Sequence, residues 1–287
     1  MARALAHFVL FTVIAGSVVA DTELTVVTYN IRHIDFDEGE LHWEERRAGV
    51  LEILADADAD LVGLQEAGEE QRNDLEDLGM YCIGCSSDFT NHNAILFDES
   101  RLELLDSGVF WLSDTPEIPD STSWGNKTPR TVTWGHFEIR LRNAENPRFV
   151  VYNTHLDHRS PDSRLPSVEL ILDHAAGHFD GIPLILLGDF NARPDWREVR
   201  FLTESEDSYP HLPLNDVFVS AGSRRNGATF RGFEEGSEGL RIDYVFASRE
   251  FRPRRAVTIR GYGGGEVPPS DHLPIRAVLT LDGPEDD

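Results

Sequence analysis

Short apolar, β-prone runs recur along this chain, and only a few stretches show the spacing of an amphipathic helix. Strands are predicted over residues 24–29, 60–64, 81–85, 94–97, 131–141, 149–153, 182–187, 240–247, 256–260 and 275–281. Helices are predicted over 43–54, where Val50, Leu51 and Leu54 supply the apolar face, and over 69–78, which Gly79 stops; two more fall at 164–179 and 195–202. Residues 182–187 are nearly all apolar, which marks a central strand covered on both faces. Residues 110–130 place Pro, Ser, Thr and Asp around Trp111 and Trp124 and read as a long, functional loop. Helices scattered among many strands, without a repeat or a Pro-, Gly- or Ser-rich linker, predict two sheets packed face to face with helices outside.

Polar residues that follow these apolar runs carry the candidate chemistry. Thr28-Tyr29-Asn30, Leu64-Gln65-Glu66, Asn153-Thr154-His155, Gly188-Asp189-Phe190-Asn191 and Ser270-Asp271-His272-Leu273-Pro274 sit at predicted strand ends or beside them, where one sheet edge can gather them. Glu66 suits a hard divalent cation, Mg²⁺ with Mn²⁺ as a substitute, and a solvated strand-end charge is the plain alternative. Asn30 either supports that ligand or holds a phosphate oxygen. Asp189 can orient an attacking water while Asn191 steadies charge growing on phosphorus, against the simpler reading of an Asx-turn. His272, oriented by a carboxylate, can take a proton near neutral pH, and Asp271 is a second candidate for the metal. Asp243 lies in a β-like run and needs a partner, either His272 or Arg241.

His155 can hydrogen-bond a phosphoryl oxygen. The stretch His155-Leu156-Asp157-His158 also invites a zinc reading, weakened because Asn153 stands where a His-x-His-x-Asp-His motif needs its first His. Arg130 offers a bidentate clamp for phosphate, with Arg164 as a lesser candidate. His174 and His178 have helical spacing but no third ligand and read as ordinary helix residues. The glycine run at 261–265 lacks the strand-to-helix context of a phosphate cradle.

Charge and the chain's first residues narrow the partners. The formal net charge is −25 over 287 residues, with Lys127 as the single lysine. This suits a high-salt or Arg-favouring background, or plain solubility, and it opposes a polyanionic partner, which usually meets a basic face. A small phosphoester is the expected partner, with nucleic acid as the alternative substrate; a monomer is expected. Residues 1–20 have the layout of a secretory signal peptide, with cleavage expected after Ala20, secretion or delivery to a periplasm, and no lasting membrane insertion. Residues 21–282 are then the catalytic domain and 283–287 a polar tail. Cys82 and Cys85 are the two cysteines, and export favours a small disulfide over free thiols or redox catalysis.

Five motifs in this order, with Arg241-Ile242-Asp243-Tyr244, resemble the endonuclease/exonuclease/phosphatase superfamily over nearly all of residues 24–281. Phe110-Trp111-Leu112-Ser113, Pro129-Arg130 and the segment from Asn153 to His158 look most like an exported bacterial branch. The resemblance implies an α/β fold of deoxyribonuclease I type: a four-layer αββα sandwich of two mostly antiparallel sheets with outer helices. It implies Glu66 as principal Mg²⁺ ligand with Asp271 and Asn30 assisting, and His155, Asn191 and Arg130 on the phosphate. Asp189 would position water, and His272, held by a carboxylate such as Asp243, would be the base. Relatives carry a Glu shortly before the Asn-Ala-Ile strand; here the order is Asn91-His92-Asn93-Ala94-Ile95, so the phosphate-binding His lacks that acidic partner.

Overall fold

In chain order the principal elements are β1 (Glu23–Asn30), α1 (Trp43–Ala57), β2 (Leu61–Gln65), α2 (Glu69–Asp74), β3 (Tyr81–Ile83), β4 (Ile95–Phe97), β5 (Leu102–Trp111), β6 (Thr131–Ile139), β7 (Arg148–His155), α3 (Pro161–His178), β8 (Leu184–Asp189), α4 (Arg197–Glu204), β9 (Asn215–Asp216), α5 (Val217–Ser220), β10 (Asp243–Ala247), β11 (Phe251–Thr258) and β12 (Ile275–Leu281). They come from a computed structural model that describes residues 22–36, 39–85, 92–141, 146–205, 209–223, 227–233, 238–261 and 267–281. The expected signal peptide, most of the glycine run and the polar tail lie outside the described residues. Among the described residues no helix is long and apolar enough to cross a membrane.

Two six-stranded sheets form, ordered β11-β12-β1-β2-β4-β3 and β5-β6-β7-β8-β10-β9. Each has one parallel pair at its centre, β1 with β2 and β7 with β8, and its other pairings are antiparallel. A parallel pair needs a crossover, and α1 and α3 supply the two crossovers. Each sheet is thus built around one βαβ unit, whose strand C-termini are where open α/β sheets take ligands.

Side-chain alternation divides the core into three layers. Leu24, Val26 and Leu61 face Val151, Ile185 and Leu187 between the sheets. Val27, Val62 and Leu64 turn the other way, onto Val50, Ile53 and Leu54 of α1. Val150, Tyr152 and Leu186 turn outward onto Val168, Ile171 and Leu172 of α3. The result is helix, sheet, sheet, helix: the four-layer αββα sandwich.

Some boundaries differ from the sequence reading. The strand β5 was absent from it because its middle, Asp106-Ser107, is exposed and its pairing with β6 is bulged between Leu104 and Asp106. The long loop therefore starts after Trp111 and not at Phe110. The predicted helix at 69–78 is α2 followed by a tighter 3₁₀ turn, Leu75–Leu78. The strand predicted from 240 begins at Asp243, because Leu240 instead bridges to Phe230. Cys82 and Cys85 are joined as a disulfide.

Candidate active site

The same alternation that builds the inter-sheet core delivers the polar residues. Asn30 has the parity of Leu24 and Val26; Asp189 has that of Ile185 and Leu187; His155 has that of Val151. In register, His155 pairs with Asp189 and Asp189 with Asp243, so three adjacent strands present a row of side chains to the mouth of the inter-sheet space. β12 runs antiparallel to β1, which brings the segment before Ile275, with His272, to the same edge. Below this row lies a neutral polar one. Gln65 donates to Thr28 Oγ1 at 3.0 Å and to Asn153 Oδ1 at 2.7 Å, and Asn153 Nδ2 donates to the carbonyls of Leu64 and Ala94, both at 2.8 Å. Asn153, where the zinc reading wanted a histidine, is therefore a tie between the sheets. A side chain at Gly63 would strike Leu187 and crowd Asn153, which explains glycine in this layer.

Distances in the mouth are short. Asn30 Nδ2 donates to Glu66 Oε1 and to Asp189 Oδ2, each at 3.1 Å. Glu66 Oε2 accepts from the His33 backbone N–H at 2.9 Å. His155 spans the same two carboxylates, with Nδ1 3.8 Å from Glu66 Oε1 and Nε2 3.4 Å from Asp189 Oδ2. Asn191 Nδ2 lies 2.9 Å from His155 Nε2, and its backbone N–H donates to Asp189 Oδ1 at 2.8 Å. His272 Nδ1 lies 2.9 Å from Asp243 Oδ2, and its Nε2 3.7 Å from Asp189 Oδ2. Asp189, Asp243 and His272 form a buried group whose donor atoms lie within 4.8 Å of one another and could hold a metal ion.

Each candidate finds a definite place. Arg241, the rival partner for Asp243, pairs instead with Asp216, Nη1 to Oδ1 at 3.1 Å. Asn30 turns its nitrogen to the carboxylates, while its oxygen accepts from the Arg32 N–H at 3.0 Å, so its amide bridges Glu66 and Asp189. Asp271 is held by Arg32 Nη1 at 2.9 Å. Arg130 sits on Asp157 Oδ2 at 3.3 Å and beside His158 Nδ1 at 3.0 Å, which fixes it on the flank of His155 and accounts for Asp157 and His158 without zinc. Arg164 is buried against the Asp157 and His158 carbonyls and Glu198, a structural role. His174 bonds the Tyr152 hydroxyl at 2.8 Å and stacks on His178. Glu66 and Asp189 stand beside His155 as acidic neighbours, and His92 stacks on His33 at 4.3 Å. Asn91 lies outside the described residues.

Several supporting residues carried no sequence signal beyond their type or, for Ser270, its place in the motif ending at Pro274. Ser270 Oγ donates to the Asn30 carbonyl at 2.7 Å and accepts from the His272 N–H at 3.1 Å. Thr229 Oγ1 accepts from the N–H of Asp243 at 3.1 Å. Arg46, fully buried, donates to the carbonyls of Leu41, Ile31, Pro269 and Arg32, which clamps the segment after β1 to the segment before His272. Arg32, Glu66 and Asn191 have φ of +57°, +59° and +47°. Left-handed backbone costs a non-glycine residue about 1–2 kcal/mol, and such strain gathers where the surroundings over-determine a functional geometry.

Burial and charge set the protonation states. Burial raises Asp189 to about 7, and the neighbouring Asp243 charge adds to this; His272 and the hydrogen bonds from Asn191 and Asn30 oppose it. Burial works against a charged His272, but Asp243, through charge and hydrogen bond, and Asp189 overcome it and lift the ring to about 10. His155 is held well below its usual value by burial and then by Arg130, so it is neutral. The site therefore pairs one imidazolium with one neutral imidazole around a carboxylate poised near neutrality, the separation of roles that acid–base chemistry needs.

This fold and site define a class, and the sequence confirms it: the Endonuclease/Exonuclease/phosphatase family model matches residues 27–272, and the chain belongs to that family, whose members hydrolyse phosphoric esters. Among solved structures it is similar to an endonuclease/exonuclease/phosphatase from Bacteroides vulgatus, with TM-score 0.81 and 25% identity over 91% of this chain and 100% of that one. It is also similar to a mannosyl-6-phosphatase from Bacteroides thetaiotaomicron VPI-5482, with TM-score 0.77 and 26% identity over 90% of this chain and 100% of that one. In sequence it is 26% identical to Protein angel of Drosophila melanogaster over 273 residues, 84% of this chain and 73% of that protein. Identity to Protein angel homolog 2 of Bos taurus is 28% over 250 residues, 77% of this chain but only 42% of that longer protein.

Proposed function

We propose that this chain is an exported, Mg²⁺-dependent phosphoesterase that hydrolyses a small phosphomonoester or phosphodiester by attack of water on phosphorus. One observation carries the reading: a single nitrogen, Asn30 Nδ2, bonds both Glu66 and Asp189, so carboxylates from the two sheets meet at one point in the mouth, flanked by His155 and His272.

Glu66 fits a hard cation. Each of its oxygens accepts one hydrogen bond, from Asn30 or His33, which leaves lone pairs facing the mouth, and the side chain is partly open to solvent. Held there, Mg²⁺ would polarise a phosphoryl oxygen and stabilise charge on the leaving group. The chain's own residues do the rest. Neutral His155, fixed by Asn191, offers a ring N–H to a phosphoryl oxygen, with Arg130 on its flank. His272 is anchored by Asp243, whose charge and hydrogen bond favour the protonated ring, and in this reading Asp189, beside it, takes the proton of the attacking water as the new oxygen–phosphorus bond forms and the ester bond breaks.

Net charge of −25 supports a small substrate over a long polyanion. The mannosyl-6-phosphatase neighbour, at 26% identity, supports a phosphomonoester. The apolar leader at 1–20 and the Cys82–Cys85 disulfide support export. The test is a panel of sugar phosphates, nucleotides, aryl phosphodiesters and plasmid DNA, each with Mg²⁺ and with chelator. Small esters should turn over only with the metal; plasmid cleavage as the dominant activity would replace this reading with a nuclease.

A further inference from the structure

We propose that Arg130, His158 and Arg159 form a second anion subsite beside the mouth, which receives a further phosphate carried on the leaving portion of the substrate. The inference rests on the small-phosphoester reading and narrows its substrate class to bisphosphorylated small molecules.

The donors here do not match. Arg130 Nη2 lies 3.0 Å from His158 Nδ1, and Arg159 Nε lies 3.1 Å from His158 Nε2. A guanidinium only donates, whereas a neutral imidazole accepts at one ring nitrogen and a protonated one at neither. Burial, and then the Arg130 charge, hold His158 below its usual value, so the ring is neutral. Whichever tautomer forms, one arginine N–H meets the ring N–H head on. An anion beside that contact accepts from both groups, and the opposed donors become partners of one ligand.

Carboxylates nearby are spent on other groups. Asp157 Oδ1 accepts from the backbone N–H of Arg159 and of Ser160, each at 2.7 Å, and its Oδ2 takes Arg130 Nε at 3.3 Å. Asp162 Oδ1 takes Arg197 Nη2 at 3.2 Å. The Arg159 guanidinium meets no carboxylate among the described residues, whereas Arg47, Arg140, Arg148, Arg197 and Arg200, equally exposed, each meet one. In a chain of net charge −25, carboxylates outnumber such cations, so an arginine aimed at an imidazole instead is placed for a ligand.

The place adjoins the chemistry. His158 and Arg159 lie just past His155, the last residue of β7. His155 feels the charges of Arg130 and His158, and His158 feels that of Glu66. Ser160 Oγ donates to the Trp124 carbonyl at 3.0 Å, which ties this segment to the long loop after β5 and holds the three donors in place. Three donor groups suit a phosphate, which presents three oxygens, better than a carboxylate, which presents two. The scissile phosphoryl group occupies His155 and Asn191, so the second phosphate belongs to the leaving portion.

Paired substrates test this. Glucose monophosphate is compared with glucose bisphosphate, and adenosine monophosphate with adenosine bisphosphate, each with Mg²⁺. Wild type should show a KM about 10-fold lower for the bisphosphate of the pair it turns over better, the effect of one charge-assisted hydrogen bond or more, with similar kcat. Arg159→Gln and His158→Ala should raise the bisphosphate KM to the monophosphate value and leave monophosphate kcat and KM unchanged. Arg159→Lys, which keeps the charge, guards against a folding defect and should retain most of the preference. Arg197→Gln removes a neighbouring exposed charge and should retain all of it. Equal KM values on wild type, a preference that survives Arg159→Gln, or one lost equally in Arg197→Gln would each overturn the subsite while leaving a small-ester hydrolase intact. A wild-type protein that turns over no small ester would remove the phosphoesterase reading along with it.

Discussion

The floor and the mouth of the inter-sheet space are built by the same strands on the same face, yet they do opposite work. At the floor, Leu24, Val26, Val151 and Ile185 are fully buried and pack in one apolar cluster between the sheets. One step up, Thr28 and Asn153 face inward, uncharged, and Gln65, level with Asn30 in register, reaches back to both. One step further, Asn30, His155 and Asp189 face inward, and Asp189 brings a carboxylate. A strand repeats its orientation every two residues, so each β-run sets an address and the residue at that address sets its role. Polarity rises in two-residue steps toward the strand C-termini. The neutral row separates charges from hydrocarbon and bonds nearly every donor it buries, as a buried polar layer must.

The largest expected effect lies at the mouth. Asp189→Asn keeps the size of the side chain but removes the proton acceptor and turns one of its two accepting oxygens into a donor. Turnover should fall by about 10³-fold, measured as kcat on the best small ester, with the circular dichroism spectrum unchanged. Activity within a few-fold of wild type would mean that another group takes the proton. Next comes the imidazolium. The folded value of His272 is lifted from 6.5 to about 10, so its pair with Asp243 stabilises the fold fully below the unfolded value and loses that contribution as pH rises through about 10. The stability of wild type relative to His272→Gln, measured by urea unfolding, should therefore decline between these limits. A gap that widens with pH would show that the ring is neutral in the folded protein.

Much of this gradient was legible in the sequence, and the reason is local. Residues 24–29, 149–153 and 182–187 announce themselves as apolar runs, and the functional side chains sit just past their ends, so strand prediction carried site prediction with it. What the sequence left open depended on partners far along the chain. Asp243 had two charged suitors, and only register with β8 and the approach of the segment before β12 decide for His272 over Arg241. Arg32, Arg46 and Ser270 act through backbone carbonyls and carboxylates that are distant in sequence, which no spacing rule reaches. β5 escaped because an exposed, bulged edge strand loses the alternation that betrays a buried one. Asn30 reads as a metal support or phosphate holder and Asp271 as a metal ligand by type; only the structure shows that Asn30 also joins Glu66 to Asp189 and that Asp271 also meets Arg32.

Two stability measurements sharpen the contrast between floor and middle row. Ile185→Ala at the floor should cost about 3 kcal/mol, since truncating a fully buried Ile forfeits its transfer energy and leaves a cavity. Turnover per folded molecule should survive, because Ile185 is in register with Val151, one inward-facing step below the neutral row. Asn153→Ala should cost less, about 1–3 kcal/mol, the penalty of stranding buried polar partners. Its amide satisfies the Leu64 and Ala94 carbonyls and accepts from Gln65, and all three would lose a partner. Here activity should fall as well, since Leu64 and Gln65 immediately precede Glu66, which has a left-handed backbone that its neighbours must hold in place. The informative readout is the pair of changes. If Asn153→Ala lowers urea stability but leaves kcat and the Mg²⁺ concentration for half-maximal rate where they were, the neutral row is only a spacer between hydrocarbon and charge. If both move, the row sets the position of Glu66, and the mouth's geometry is written two residues below it.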